Sequence, residues 1–97
     1  MAPRTSNLYG KITISKQAIK HVVTATAGEC YGIAWAKAGS VMCEDNHINI
    51  SVNMYLKFGV TIDPVIDSVR RAIKYNVETF TGMIVETVDI NVLGIKN

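Results

Sequence analysis

The stretch from His47 to Phe58, HINISVNMYLKF, alternates throughout. Its even positions are Ile48, Ile50, Val52, Met54, Leu56 and Phe58, and its odd positions are His47, Asn49, Ser51, Asn53, Tyr55 and Lys57. Successive side chains of a β-strand point to opposite faces, so the pattern gives one apolar face and one polar face. Wound as a helix, the same residues would scatter around the cylinder and bury no stripe. A long central strand is expected, its apolar face carrying the core. The other segments are placed by asking what covers that face.

Residues 1–9, rich in small and polar types, are expected to form a flexible tail ahead of one domain spanning 10–97. Lys11 to Ser15, KITIS, reads as a short strand. Ser15 is a good N-cap for a helix from Lys16 to about Ala27, in which Ile19, Val22, Val23, Thr26 and Ala27 recur at helical spacing. Its β-branched residues are weak helix formers, so packing must hold it, and Gly28 is the expected stop. Tyr31 to Ala36, YGIAWA, is a short apolar run, either a strand buried on both sides or an extended segment at the core edge, with Trp35 at an element boundary. A break is expected at Gly39-Ser40. Val41 to Cys43 then pairs with the central strand through a tight turn at Glu44-Asp45-Asn46.

Beyond the central strand, Asp63-Pro64 predicts a helix start, with Asp63 as N-cap and Pro64 at the first helical position. Ile66, Val69, Ile73, Val77 and Phe80 define its apolar face, and Gly82 its end. Ile84 to Leu93 is the last strand, with Val88, Ile90 and Val92 alternating inward. The order β-α-β-β-α-β predicts an α+β two-layer sandwich, both helices on one face of the sheet and the other face polar. Ile50, Val52, Leu56, Ile73 and Val88 are the expected core.

Three of these stretches are GKITIS with its helix, ECYGIAWA, and the run from Ile48 to Ile95. Their landmarks are Gly10 to Ile12, Gly32-Ile33, Phe58-Gly59, Ile62-Asp63-Pro64, Thr81-Gly82 and Val92 to Gly94. Taken in order, they resemble the bacterial alkaline shock protein family, also called envelope stress response proteins. The segment Ala36 to Asn46 is shorter here than in many members. The resemblance implies a small cytoplasmic protein without enzymatic activity that associates with itself. In some members it sits at the membrane periphery through a separate anchor protein, with a role in envelope stress or homeostasis. No catalytic site is carried over, because the family offers no catalytic motif.

The bulk numbers agree with a plain globular domain. A chain of 97 residues, 48% hydrophobic and 19% charged, can bury one modest core. A net charge of +2 gives little pull toward nucleic acid or anionic lipid. No apolar run nears the roughly 20 residues of a spanning helix, and the first residues lack the pattern of a secretory signal. A cytoplasmic chain without direct membrane insertion is therefore expected. Cys30 and Cys43 are expected to be reduced thiols, at least one of them buried.

The chemistry-bearing residues are dispersed. His21, His47, Cys30 and Cys43 lack the paired short spacing of a zinc site. Gly28, Gly32 and Gly39 make no phosphate loop. Neither metal nor any other cofactor is expected. Cys30 as a nucleophile would need a base within reach, and a small inert cysteine is the plainer expectation. Arg70, Arg71 and Lys74 read as a solvated helix face. The candidate contact surface is the polar face of the long strand: Asn49, Ser51, Asn53 and Tyr55. Through it, or a strand edge beside it, the chain would join protomers or a partner. An RNA-binding module using the same face is the rival, suggested by the element order. The aromatic-rich signature of such modules is missing, so no nucleic acid is expected.

Overall fold

The computed structural model describes residues 15–97. The expected tail and most of the KITIS strand lie outside the described residues. Within them the order is α1 (Lys16–Glu29), β1 (Ile33–Glu44), β2 (His47–Lys57), α2 (Ile62–Thr81) and β3 (Ile84–Lys96), an α+β arrangement. The sheet order is β1-β2-β3, with β1 antiparallel and β3 parallel to β2.

The central strand behaves as its alternation requires. Ile48, Ile50, Val52, Met54 and Leu56 are at most 2% exposed, whereas Asn49, Ser51, Asn53 and Tyr55 are half-buried on the opposite face. Phe58 does not continue the apolar row: β2 ends at Lys57 and Phe58 is 75% exposed at the turn into α2. Ile50, Val52, Leu56, Ile73 and Val88 all belong to one buried cluster, to which α1 adds Ile19, Val23 and Ala27 and α2 adds Val65, Val69 and Val77. Both helices thus contribute their apolar stripes to the same buried cluster as the apolar row of β2.

β1 runs unbroken from Ile33 to Glu44, where a break at Gly39-Ser40 was expected. Gly39 is an extra residue between the pairs Ala38–Val52 and Ser40–Ser51, so the apparent break is a bulge inside a continuous ladder. A second irregularity lies between Ile33–Leu56 and Trp35–Tyr55, and it turns Trp35 onto the outer face. The hairpin turn is Asp45-Asn46, both with positive φ (49° and 67°), the backbone that matches strand twist in a two-residue turn.

Two of the four helix ends differ from expectation, each by two residues. Ser15 caps α1 as expected, its Oγ accepting from the Ala18 N–H at 3.0 Å, but the helix passes Gly28 and ends at Glu29. The chain turns at Gly32, whose φ is +86° and whose added Cβ would lie 3.0 Å from Val65 Cγ2. Both the backbone angle and the close packing of α2 demand glycine there. α2 begins with Thr61 as N-cap, not Asp63. Asp63 sits in the first turn, where its charge favours the helix dipole, and Pro64 lies among the first residues whose N–H would be unpaired anyway. The buried stripe is accordingly Val65, Val69, Ile73 and Val77; Ile66 is half-buried and Phe80 is 46% exposed. Gly82, at φ 74°, caps the end as expected.

The β-branched residues of α1 are used for packing and hydrogen bonds between elements. Thr24 Oγ1 accepts from the Ala38 N–H at 3.0 Å, pairing a backbone donor beside the β1 bulge. Thr26, 7% exposed, accepts from Asn76 Nδ2 at 2.9 Å and ties α1 to α2. The α2 residues expected to form a solvated face divide: Arg71 pairs with Asp67 at 2.8 Å in solvent, while Arg70 and Lys74 reach the backbone of β3.

Two outcomes follow. Leu56→Ala or Ile73→Ala, each emptying a site with 0% exposure, should cost about 2–5 kcal/mol, read as a lower denaturant midpoint. The Glu78 carboxyl is held below its ordinary range by the Lys74 ammonium and the Val85 N–H. A carboxyl depressed on folding stabilises above its unfolded pKa, and that contribution is lost as pH falls through the folded value. The stability difference between the parent and Glu78→Gln should therefore shrink as the solution is acidified below the normal glutamate range, as measured by denaturant titration at stepped pH.

Candidate functional site

The outer sheet face is assembled from three strands, in rows fixed by the register. Asn49 lies between Met42 and Thr87, Ser51 between Ser40 and Asp89, Asn53 between Lys37 and Asn91, and Tyr55 between Trp35 and Gly94. The four residues expected to form a contact surface therefore occupy the middle line of a broad face. No described element covers it.

The polar side chains of the face satisfy one another. Thr87 Oγ1 donates to Asn49 Oδ1 at 2.7 Å, and Asn91 Nδ2 donates to Asn53 Oδ1 at 3.1 Å and Ser51 Oγ at 3.4 Å. Such cross-strand bonds hold short side chains flat and leave their remaining donors and acceptors to solvent or a partner. One end of the face is aromatic. The Trp35 and Tyr55 rings lie 5.8 Å apart at 57°, and Lys96 Nζ stands 4.7 Å over the Tyr55 ring. A Cβ on Gly94 would approach Tyr55 Cε1 to 3.2 Å, so the ring rests close against a bare backbone. Trp35 is 43% exposed and presents its surface outward.

Trp35, Gly94 and Lys96 were not expected on this face. Trp35 is a strand residue rather than one at an element boundary, because the irregularity after Ile33 reverses its direction. Lys96 reaches the face because β3 runs past Leu93, where the sequence pattern ends it. The aromatic spacing could not have revealed the pairing, since Trp35 and Tyr55 meet only through the hairpin register.

The other chemistry-bearing residues stay apart. Among the described residues no group of three or more His, Cys, Asp or Glu side chains is placed to hold a metal ion. Neither cysteine is fully buried, against expectation: Cys30 is half-buried at the end of α1 and Cys43 is exposed near the hairpin. Ten residues of strand separate the Ile33 end of β1 from Cys43, about 30 Å at the usual rise. The two thiols cannot meet within one copy. The Cys30 thiol donates to the Thr26 carbonyl at 3.3 Å, and burial, then the Glu29 charge, pushes its pKa up. That is the reverse of what an activated nucleophile requires.

The fold and this face define a small α+β domain with a hydrogen-bonded polar sheet surface. The chain belongs to the alkaline shock protein 23 family: the family model, described as having a cell envelope-related function, matches residues 36–97. It is also similar to the uncharacterized protein YloU of Bacillus subtilis (strain 168), with 27% identity over 108 residues covering 91% of this chain and 90% of that protein. No helix among the described residues is long and apolar enough to cross a membrane.

At neutral pH, Cys43 should be alkylated by iodoacetamide well before Cys30, because only Cys43 is exposed and Cys30 is kept as a hydrogen-bonded thiol. Peptide mapping after a short pulse checks the order; equal labelling of the two in folded protein would contradict it.

Proposed function

We propose that this chain is a non-enzymatic scaffold or interaction protein of the cell envelope, acting by self-association and by binding a partner through the outer sheet face. The observation that carries this is the face itself. Asn49, Ser51, Asn53 and Tyr55 form a flat, laterally bonded strip that no described helix covers, ending in an aromatic corner of Trp35 and Tyr55. Tyrosine and tryptophan are enriched where proteins meet, since each offers a large apolar body with a polar tip. The family's envelope-related function supports a place at the membrane periphery reached from the cytoplasm through an anchor partner protein.

The RNA alternative gains one point from the structure, because two aromatics rather than one share the face, with Lys37 and Lys96 in neighbouring rows. It loses another in the topology. β2, α2 and β3 form a direct unit in which the two parallel strands are neighbours, whereas the split arrangement inserts a strand between them. The Tyr55 ring is also already engaged by Lys96 and Trp35.

Mass in solution at low and high salt separates the two. Tyr55→Ala and Asn53→Asp should each weaken capture of the anchor partner by about tenfold, the scale of one interface anchor, while leaving the fold intact. Contact through the largely neutral strip should depend weakly on salt, whereas RNA retention would fall steeply as counterions are released. Unchanged association and partner capture in both variants would remove the outer face as the contact. Loss of bound RNA in Tyr55→Ala at low salt would favour the rival.

A further inference from the structure

β3 is an edge strand among the described residues, and α2 guards only part of that edge. The Val85 N–H donates to Glu78 Oε2 at 2.9 Å, the Val85 carbonyl accepts from Lys74 Nζ at 3.4 Å, and the Val88 carbonyl accepts from Arg70 Nε at 3.4 Å. These groups point away from β2. The Ile84 N–H and the Lys96 carbonyl point toward the hairpin and the end of β2, bonding to the Asn46 carbonyl and the Phe58 N–H. Alternation through the bulge at Leu93 then turns the backbone of Ile90, Val92 and Ile95 to the free edge as well. No described side chain bonds these three.

The same division appears in burial. Val85, Val88, Val92 and Ile95 pair with the buried residues Ile48, Ile50, Met54 and Leu56 and share the helix-side face. Val85 and Val88 are 3% and 7% exposed, but Val92 and Ile95 are 37% and 52% exposed. On α2, Ile62, Ile66, Arg70, Lys74 and Glu78 recur every four residues along one stripe. Its last three members hook the guarded half of the edge. Its first two are apolar, and Ile62 is 42% exposed. Among the described residues, an apolar stripe and a row of backbone donors and acceptors without partners thus lie at the same end, a combination that adds a strand.

We propose that this half of β3 pairs with the same segment of a second copy, antiparallel about a two-fold axis at Val92, joining two sheets into one. The proposal rests on the self-association reading above and names its surface. Its support is the self-complementarity of the segment DINVLGIK. In the register that β2 imposes, with Leu93 the extra residue, a two-fold at Val92 sets Val92 opposite itself, Ile90 opposite Ile95, Asn91 opposite Gly94 and Asp89 opposite Lys96. Asp89 and Lys96 are the only charged residues of the segment, and they are opposite in sign and on the same, outer side of the sheet. Each edge-facing residue gains both its main-chain bonds, and the apolar side chains of the two copies meet on the helix side. A two-fold contact of this kind closes on itself.

Sedimentation equilibrium over a concentration series tests it, using the parent chain, Asp89→Lys, Lys96→Asp, the double reversal and Val92→Pro. The parent should reach twice its 10.6 kDa mass. Each single reversal sets like charges across both ends of the two-fold and should raise the dissociation constant about tenfold or more; the double reversal should return it to within about threefold of the parent. Val92→Pro removes an N–H that β2 does not use, so it should stay folded by circular dichroism and remain monomeric. Should it unfold, the charge cycle decides alone. A parent dimer unmoved by the single reversals overturns the proposal. If Tyr55→Ala dissociates that same dimer, the outer face is the contact and the self-association reading survives without the edge. A parent that is monomeric at every concentration overturns both.

Discussion

Everything in the described structure leans on the two-faced backbone of β2. Among the described strands it alone is paired on both edges, and its helix-side row from Ile48 to Leu56 is at most 2% exposed. Each of the other four elements is fixed by reference to it: β1 and β3 by hydrogen-bonded register, α1 and α2 by burial of one stripe in the same cluster as that row. A slip of one residue would put Asn49, Ser51 and Asn53 in the core, with their amides and hydroxyl unpaired, and Ile48, Ile50 and Val52 in water. The strength of that penalty is why the alternation specifies a register as well as a strand.

That strand, both helices, the hairpin turn and the α+β class were legible because each rests on local chemistry: alternation, helical spacing, turn residues. What was not legible came from irregularities that local patterns do not record. The extra residues at Gly39 and Leu93, and the irregularity after Ile33, change which face the following residues occupy. Trp35 therefore appears outside, and the extra residue Glu86 turns Val85 into the core though it was not expected there, whereas Val92 keeps the expected helix-side face and is exposed because no described helix covers that end of β3. The start of α2 was misplaced for a different reason. The first helical amides are all unpaired, so Pro64 is tolerated at any of several positions and cannot by itself mark the first. Of the candidate site, the middle row was readable from the polar half of the alternation. Its flanking rows were not, because they depend on long-range register.

The two sides of the sheet reach polar satisfaction by different routes. On the helix side polar groups are paired between elements, as with Asn76 and the buried Thr26 or the Ala38 N–H and Thr24. On the outer side the bonds run laterally between β2 and β3, from Asn91 and Thr87 to their neighbours. The first kind orders the helices over the sheet. The second stiffens the sheet without closing its surface, and a stiff, preorganised surface loses little entropy when something binds it.

The placement of the single tryptophan has a practical side. In most small domains a lone indole is buried and its emission follows unfolding. Here Trp35 stands on the outer face beside Tyr55, away from the helix-side cluster. Its fluorescence is thus a gauge of what touches the sheet surface. Core melting will move it only indirectly, while occupation of the face should change its polarity and quenching directly, with no label attached.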